Sequence, residues 1–483
     1  MKRLCCYLCL FALAFAGSAR AQSTFDGAVW GAFAVRANGD TLLNVRSSTM
    51  MVPASNVKII TAGAALETLG RNFRWDTDLA YTGTIDEDGT LKGDIYIIGG
   101  GDPTFAAGGN AEAEFAQWRE LLLAKGITAI DGNIIGDPRF YDGAPEATSW
   151  QYEDLGFYYG KGPEALNYYK NSQDITVSAG KSVGDPVQIS AGSPVLPWMR
   201  FSHNSVTAAA GTGDKLYFYN SDMAPVGSMR GTLGMDIKSK NEQVSNRFPA
   251  YTCAYFFHKY LQQNLIKVSG CYADITPDGR IRTDLDNPGG DKAAEWSEMK
   301  NIGNTYSIPL SQVVVEMLHT SDNFYAEAAL QAVGLAVRGH TDYASCVAAV
   351  EDYVKEAGLD AKGFRLKDGS GLSRADYASP AFFVSFMEKM MDTPSYEVLL
   401  EALPQPGYGT LASYMTGAPQ DVKSRVRMKT GSMDGVRCLS GYILPKDDNK
   451  ENTIIFSIMV NNSTATSRSL INELDRMILN LAR

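Results

Sequence analysis

Histidine is scarce in this chain: four in 483 residues, at positions 203, 258, 319 and 340. They are too scattered to suggest a metal cluster, so neither a metal nor a cofactor is expected. Cysteine is also scarce, seven in all, and Cys5, Cys6 and Cys9 fall in the first 21 residues. Beyond those 21 residues no apolar stretch reaches the length needed to span a bilayer, so no integral membrane segment is expected in the mature chain. Cations are outnumbered, 44 Lys and Arg against 54 Asp and Glu, a formal net charge of −10. An acidic surface disfavours nucleic acid, whose affinity rests on cationic contacts.

What the first 21 residues do contain is a basic start at Lys2 and Arg3, an apolar run of 13 residues from Leu4 to Ala16, and Ala19-Arg20-Ala21. That pattern is a secretory signal peptide over residues 1–21. No cysteine follows the apolar run at the cut, so no lipid anchor is expected, and the mature protein is expected to be exported to the periplasm. Losing Lys2, Arg3 and Arg20 takes the net charge from −10 to −13. Cys253, Cys271, Cys346 and Cys438 remain, and export permits disulfides. A helix of about 12 residues after Cys253 rises roughly 18 Å, and a returning strand of about 6 residues covers roughly 20 Å. A Cys253–Cys271 bridge is therefore suggested, beside the alternative of two buried thiols.

The mature chain opens on a hairpin, strand-like over 29–35 and 41–45 with Asn38-Gly39 at the turn. A helix from about Ser55 to Leu69 follows, apolar nearly all round and closed by Gly70, as expected of a helix at a domain centre. Residues 79–295 change character, richer in Gly, Asp and short strand-like runs such as 94–98, 127–135, 175–178 and 215–219. Long helices are few there, with 111–125 and 251–262 the clearest. Helical pattern returns at Pro309 and continues to about His319, then over 323–338, 343–357 and 380–391, the last capped by Ser379 with Pro380 at its first position. Strands are expected at 436–443 and 453–460, then a terminal helix. With strands at both ends and helices between, residues 22–78 and 296–483 form one α+β domain of antiparallel sheet and helices, interrupted by a β-rich insertion.

Three short strings carry the chemistry: Ser55-Asn56-Val57-Lys58, Ser321-Asp322-Asn323 and Lys429-Thr430-Gly431. Each alone is a common accident; together, in this order and each in suitable local structure, they form an active-site set. Lys58 lies one helical turn after Ser55, so both point to one face. Apolar enclosure lowers a lysine's pKa and lets the neutral amine act as a base. Read alone, Ser55 is a helix cap and Lys58 a solvated lysine. Ser321 and Asn323 fall in a break between helices, where a hydroxyl can relay a proton and an amide can hold the substrate and the lysine. The plain alternative there is helix capping, and Asp322 is assigned to the loop. Lys429, Thr430 and Gly431 are expected to open a strand. Lys429 would offer a cation beside the cleft, Thr430 and Ser432 hydroxyls for a carboxylate, and Gly431 room for a substrate along the strand edge. The backbone N–H groups of Ser55 and Ser432 would form an oxyanion hole.

With these motifs, and with 99-GGGDPT-104, 368-DGSGLSR-374, 409-GTL-411 and 321-SDNFYAE-327 beside them, the chain resembles the D-alanyl-D-alanine carboxypeptidase/endopeptidase family of class C penicillin-binding proteins (DacB-like, peptidase family S13). The resemblance implies a transpeptidase/β-lactamase-like catalytic domain with a nested insertion, domain II over 79–100 and 183–295 and domain III over 101–182. It implies acylation of Ser55 by a peptidoglycan stem peptide at the D-Ala-D-Ala bond, then hydrolysis, with β-lactams as covalent inhibitors. It places Leu372, Arg374 and Met433 in a pocket for the stem's side chain, where Glu153 or Asp154 would meet a free amine. A serine β-lactamase shares the three motifs, but its deacylating glutamate finds only a near miss at Glu356-Ala357-Gly358-Leu359-Asp360, which reads better as a helix end. A non-catalytic cell-wall peptide binder is the remaining alternative.

Overall fold

A computed structural model describes residues 24–447 and 449–483. The expected signal peptide lies outside them, and among them no helix is long and apolar enough to cross a membrane.

The two ends of the chain share one antiparallel sheet, in the order Thr41–Val45, Val29–Arg36, Ile454–Asn461, Val436–Ile443, Val426–Met433. Val29–Arg36 pairs along its whole length with Ile454–Asn461, from Val29 opposite Asn461 to Arg36 opposite Ile454. Ile454–Asn461 is buried at every position, as its apolar run, broken only by Ser457 before the final Asn461, requires of a strand covered on both faces. On one face Phe456, Ile458 and Val460 meet Leu470, Leu474 and Ile478 of the terminal helix Ser467–Leu481. On the other, Ile455 and Met459 join the helical core around Val57–Leu69, Leu310–Thr320, Asn323–Arg338 and Pro380–Met390. The last of these helices has the expected cap, Ser379 Oγ accepting the Phe382 N–H at 3.1 Å.

The insertion holds two bodies of strands, one within the chain span of the other. A six-stranded sheet runs Ile281–Arg282, Tyr272–Ile275, Ile134–Asp137, Ile95–Gly99, Asp76–Tyr81, Lys300–Tyr306. Its adjacent strands Asp76–Tyr81 and Lys300–Tyr306 carry the chain in and out, so the insertion spans about 76–306 rather than 79–295. Strands Ser172–Ser178, Gln188–Ala191, Arg200–Ala208, Asp214–Tyr219, Val226–Gly234 and Lys240–Ser245 form the inner body, around Val177, Phe218, Met229 and Leu233. The expected inner range of 101–182 is therefore corrected to about 172–245. Ile134–Asp137 pairs in parallel with Ile95–Gly99, which binds residues on either side of the expected division into one sheet. The strand-like run 127–135 is two strands in different sheets, not one.

The suggested Cys253–Cys271 bridge is absent: both thiols are free. Cys253 points from helix Pro249–Gln263 into the core with Phe115, Trp118 and Phe257, whereas Cys271 is exposed.

Candidate active site

Ser55 lies in a single 3-10 turn, Ala54–Asn56, which leads into the helix Val57–Leu69. The turn is tied down from the sheet. Asn56 Nδ2 donates to Ser440 Oγ at 2.7 Å. A Cβ on Gly431 would stand 2.3 Å from the Pro53 carbonyl oxygen. The bareness of Gly431 thus seats the catalytic turn on the strand, which revises the expectation that it clears the cleft.

Lys58 is wholly buried. Its Nζ lies 3.1 Å from Ser55 Oγ and donates at 2.7 Å to Asn323 Oδ1 and at 2.7 Å to the Ser370 carbonyl. Burial lowers its pKa to about 8, against the opposing charges of Asp368, Glu327, Asp322 and Asp376.

Ser321 ends helix Leu310–Thr320 in the left-handed region at φ 61, ψ 39. The cap of the next helix is Asp322, which accepts the Tyr325 N–H at 3.0 Å, so Ser321 and Asn323 are free for the site. Asn323 Nδ2 donates to the Tyr159 carbonyl at 3.0 Å, which turns its oxygen toward Lys58.

Lys429, Thr430 and Gly431 fall in the middle of strand Val426–Met433 rather than at its start. Lys429 is fully buried, and its Nζ donates at 2.8 Å to Ser321 Oγ and at 2.8 Å to the Thr430 carbonyl. Burial, then the nearby Lys58, pushes its pKa well down. It therefore lies under Ser321 rather than beside the cleft as an open cation, which corrects the expectation.

A cavity of about 390 Å³ opens over Ser55. Asn323, Leu372, Arg374, Ser432 and Met433 line it, and the insertion contributes Glu153, Asp154 and Tyr159. Hydrogen bonds join the three motifs, Lys58 to Ser55 and Asn323 and Lys429 to Ser321, and Ser55, Asn323 and Ser432 reach the cavity wall beside Leu372, Arg374 and Met433.

Several participants were not read from the sequence. Arg437, opposite Ser432 in the strand register, donates to Ser432 Oγ. Glu327, fully buried, accepts the backbone N–H groups of Gly369 and Ser370 at 3.0 and 2.8 Å. Its position four residues after Asn323, on the same helix face, was the available signal. Trp150 Nε1 reaches Asp368 at 2.8 Å.

A buried amine facing a helix-start hydroxyl, with a second serine–lysine pair beside it, defines a serine hydrolase of the penicillin-recognising kind, on an α+β fold. More narrowly, the chain belongs to the D-Ala-D-Ala carboxypeptidase 3 (S13) family, whose pattern matches residues 17–481. It is 28% identical to the D-alanyl-D-alanine carboxypeptidase of Actinomadura sp. (strain R39), over 90% of this chain and 78% of that protein. It is 24% identical to the D-alanyl-D-alanine carboxypeptidase DacB of Haemophilus influenzae, over 87% and 84% respectively. The fold matches the crystal structure of penicillin binding protein 4 (dacB) from Haemophilus influenzae with a TM-score of 0.78 at 22% identity, covering 95% of this chain and 97% of that one.

Proposed function

We propose that this protein is a serine DD-peptidase that cleaves the D-Ala-D-Ala bond of peptidoglycan stem peptides through an acyl-enzyme on Ser55. The same step on D-Ala cross-links gives endopeptidase action. The observation that carries the reading is the placement of Lys58. A neutral amine has two N–H bonds and one lone pair. The two 2.7 Å bonds to Asn323 and Ser370 use the N–H bonds, which leaves the lone pair for the Ser55 hydroxyl at 3.1 Å.

Lys58 takes the Ser55 proton as Oγ attacks the penultimate D-Ala carbonyl. The backbone N–H groups of Ser55 and Ser432 receive the oxyanion. Ser321, supported by Lys429, passes a proton to the departing D-Ala amine, and water then releases the acyl group. Thr430 and Ser432 hold the terminal carboxylate, with Arg437 behind Ser432 supplying the accessible cation that Lys429 does not. Leu372, Arg374 and Met433 receive the stem's side chain, with Glu153 and Asp154 facing its amine across the cavity. Substrate of this kind places the working protein outside the cytoplasmic membrane, in the periplasm.

The β-lactamase reading loses its glutamate. Glu356 is exposed at the end of helix Tyr343–Glu356, and Gly358 closes the turn at φ 78. Fluorescent penicillin labelling followed by mass mapping tests the assignment. The adduct is expected on Ser55 and nowhere in Ser55→Ala; fast nitrocefin turnover in place of a lasting adduct overturns it.

A further inference from the structure

The insertion reaches the site at several points. Besides Trp150 on Asp368, the Tyr159 carbonyl on Asn323 and Gln151 on Arg374, Lys170 Nζ donates to Asp322 Oδ2 at 2.8 Å. This last contact joins two pieces of strained backbone. Ser321 has φ 61, and Tyr169, Lys170 and Asn171 have φ 51, 50 and 50. Non-glycine residues enter this region singly; three in succession persist only where the surroundings over-determine them. Here they do. The Asn171 side chain accepts the Tyr168 N–H at 3.2 Å and donates to Asn167 Oδ1 at 2.8 Å. Ser172 Oγ donates to the Tyr169 carbonyl at 2.8 Å, and the Tyr169 hydroxyl donates to Asp174 at 2.9 Å. The turn delivers the Lys170 ammonium over the Tyr325 ring, 4.2 Å from its centroid, to Asp322, with Glu316 at 3.2 Å.

We propose that Lys170 is a positioning residue for acyl transfer. Through Asp322 it fixes Ser321 and Asn323 against Lys429 and Lys58, so the catalytic loop is complete only with the insertion in place. The inference rests on the acyl-enzyme reading above. Asp322 is held between two donors, the Tyr325 N–H on one oxygen and Lys170 on the other. Its immediate neighbours carry the hydroxyl and the amide that the reaction uses. Without Lys170 the carboxylate keeps only its cap, and the insertion holds the Ser321–Asn323 loop through the Tyr159 carbonyl on Asn323 alone.

The ion pair also acts on charge. Asp368, Glu327, Asp322 and Asp376 favour protonated Lys58 against its burial, and Lys429 faces it from the strand with its own pKa lowered by burial and by Lys58. Ser55, Asn323 and Ser370 contact it without charge. Removing the Lys170 cation leaves Asp322 uncompensated, which favours protonated Lys58 and moves the acid limb of acylation to higher pH. Removing the Asp322 charge moves the limb the other way.

The test is the second-order rate of fluorescent penicillin acylation of the full exported chain, followed across pH, with thermal melting alongside. Lys170→Met is expected to acylate about tenfold slower or worse, with its acid limb shifted upward; Lys170→Arg is expected to regain most of the rate. Asp322→Asn is expected to shift the limb downward. The double variant is expected to be no slower than the slower single variant, because both act through one contact. An unshifted limb in Lys170→Met, wild-type acylation by it, or multiplicative losses in the double variant overturn the proposal. Should Lys170→Met fail to fold, an unmoved limb in Asp322→Asn overturns it alone. A wild-type chain that takes no label at all instead removes the acyl-enzyme reading, and this inference with it.

Discussion

Glu327 and Ser370 stand back to back behind the nucleophile: Glu327 Oε1 accepts the Ser370 N–H at 2.8 Å, and the Ser370 carbonyl accepts Lys58 Nζ at 2.7 Å. One residue, through the two peptide groups that flank its Cα, thus links a helix carboxylate to the buried amine. Burial pushes the Glu327 pKa up to about 8, against the two backbone N–H bonds that favour its charge. A carboxyl whose folded pKa exceeds its unfolded value binds more protons when folded between the two values, so stability falls as pH rises through that window. Asp376, also raised by burial and by Asp368, acts in the same direction. Thermal melting of the wild type is expected to decline from about pH 5 to pH 8. Glu327→Gln is expected to flatten part of that slope. It is also expected to destabilise the fold by about 1–3 kcal/mol, because its amide faces two backbone donors with one acceptor.

Lys58 sets the pH dependence of the first chemical step. Its pKa near 8 means the neutral base grows as pH rises toward that value. Acylation by penicillin is expected to climb roughly tenfold per pH unit below it and to level above it. Lys58→Arg is expected to abolish labelling at every pH tested, since a guanidinium stays charged. A flat profile from pH 6 to 9 in the wild type counts against the amine as base.

Gly371 turns the DGSGLSR loop past the nucleophile at φ +79, and a Cβ there would stand 2.0 Å from the Ala54 carbonyl oxygen, next to the Ser55 N–H. Gly371→Ala is expected to cost about 2 kcal/mol of stability. The larger effect falls on acylation, expected to drop about a hundredfold because the clash lands on the turn that carries Ser55. Labelling rate and melting midpoint measured on the same sample separate the two.

Much of this site is written locally. The buried helix after Ser55 shows in its apolar run, Gly70 marks its end, and the break at Ser321 to Asn323 shows between two periodic stretches. Direction is harder to read. Whether Lys429 faces the cleft or lies under Ser321 depends on the pairing of Val426–Met433 with Val436–Ile443, which no local pattern states. The insertion boundaries failed for a related reason. Ile95–Gly99 and Ile134–Asp137 are short strands paired in parallel across a long crossover, so neither sequence contains the other's position. The strand-like run 127–135 breaks at Asp131-Gly132-Asn133, and a Cβ on Gly132 would meet the Gly93 carbonyl oxygen at 2.1 Å.

The four thiols give a direct check of the inserted body. Cys253, Cys346 and Cys438 are buried and Cys271 is exposed. Alkylation of the folded protein is expected to modify Cys271 alone, and all four in denaturant without a reductant. A pair of residues 253 and 271 that stays blocked until reduced contradicts the packing of Cys253 against Phe257.

On the proposed function, Asp154 is the residue of the cavity wall that would meet a charged stem peptide. It is half-buried, and burial together with Glu153 raises its pKa, so a bound ammonium would recover the stability its charge lacks in the empty site. Arg374, on the same wall, opposes that rise through its charge and is itself held by Gln151, with Nε donating to Gln151 Oε1 at 3.0 Å. A stem residue with a free side-chain amine therefore meets acceptors on the Asp154 side and the apolar Leu372 and Met433 on the other. Asp154→Asn is expected to raise KM for D-Ala release from such a peptide roughly tenfold. The same peptide acetylated on that amine is expected to be cleaved equally by wild type and variant, because the charge Asp154 would meet is already gone. Equal losses on both peptides assign Asp154 to holding the Tyr159 wall of the cavity rather than to reading the substrate.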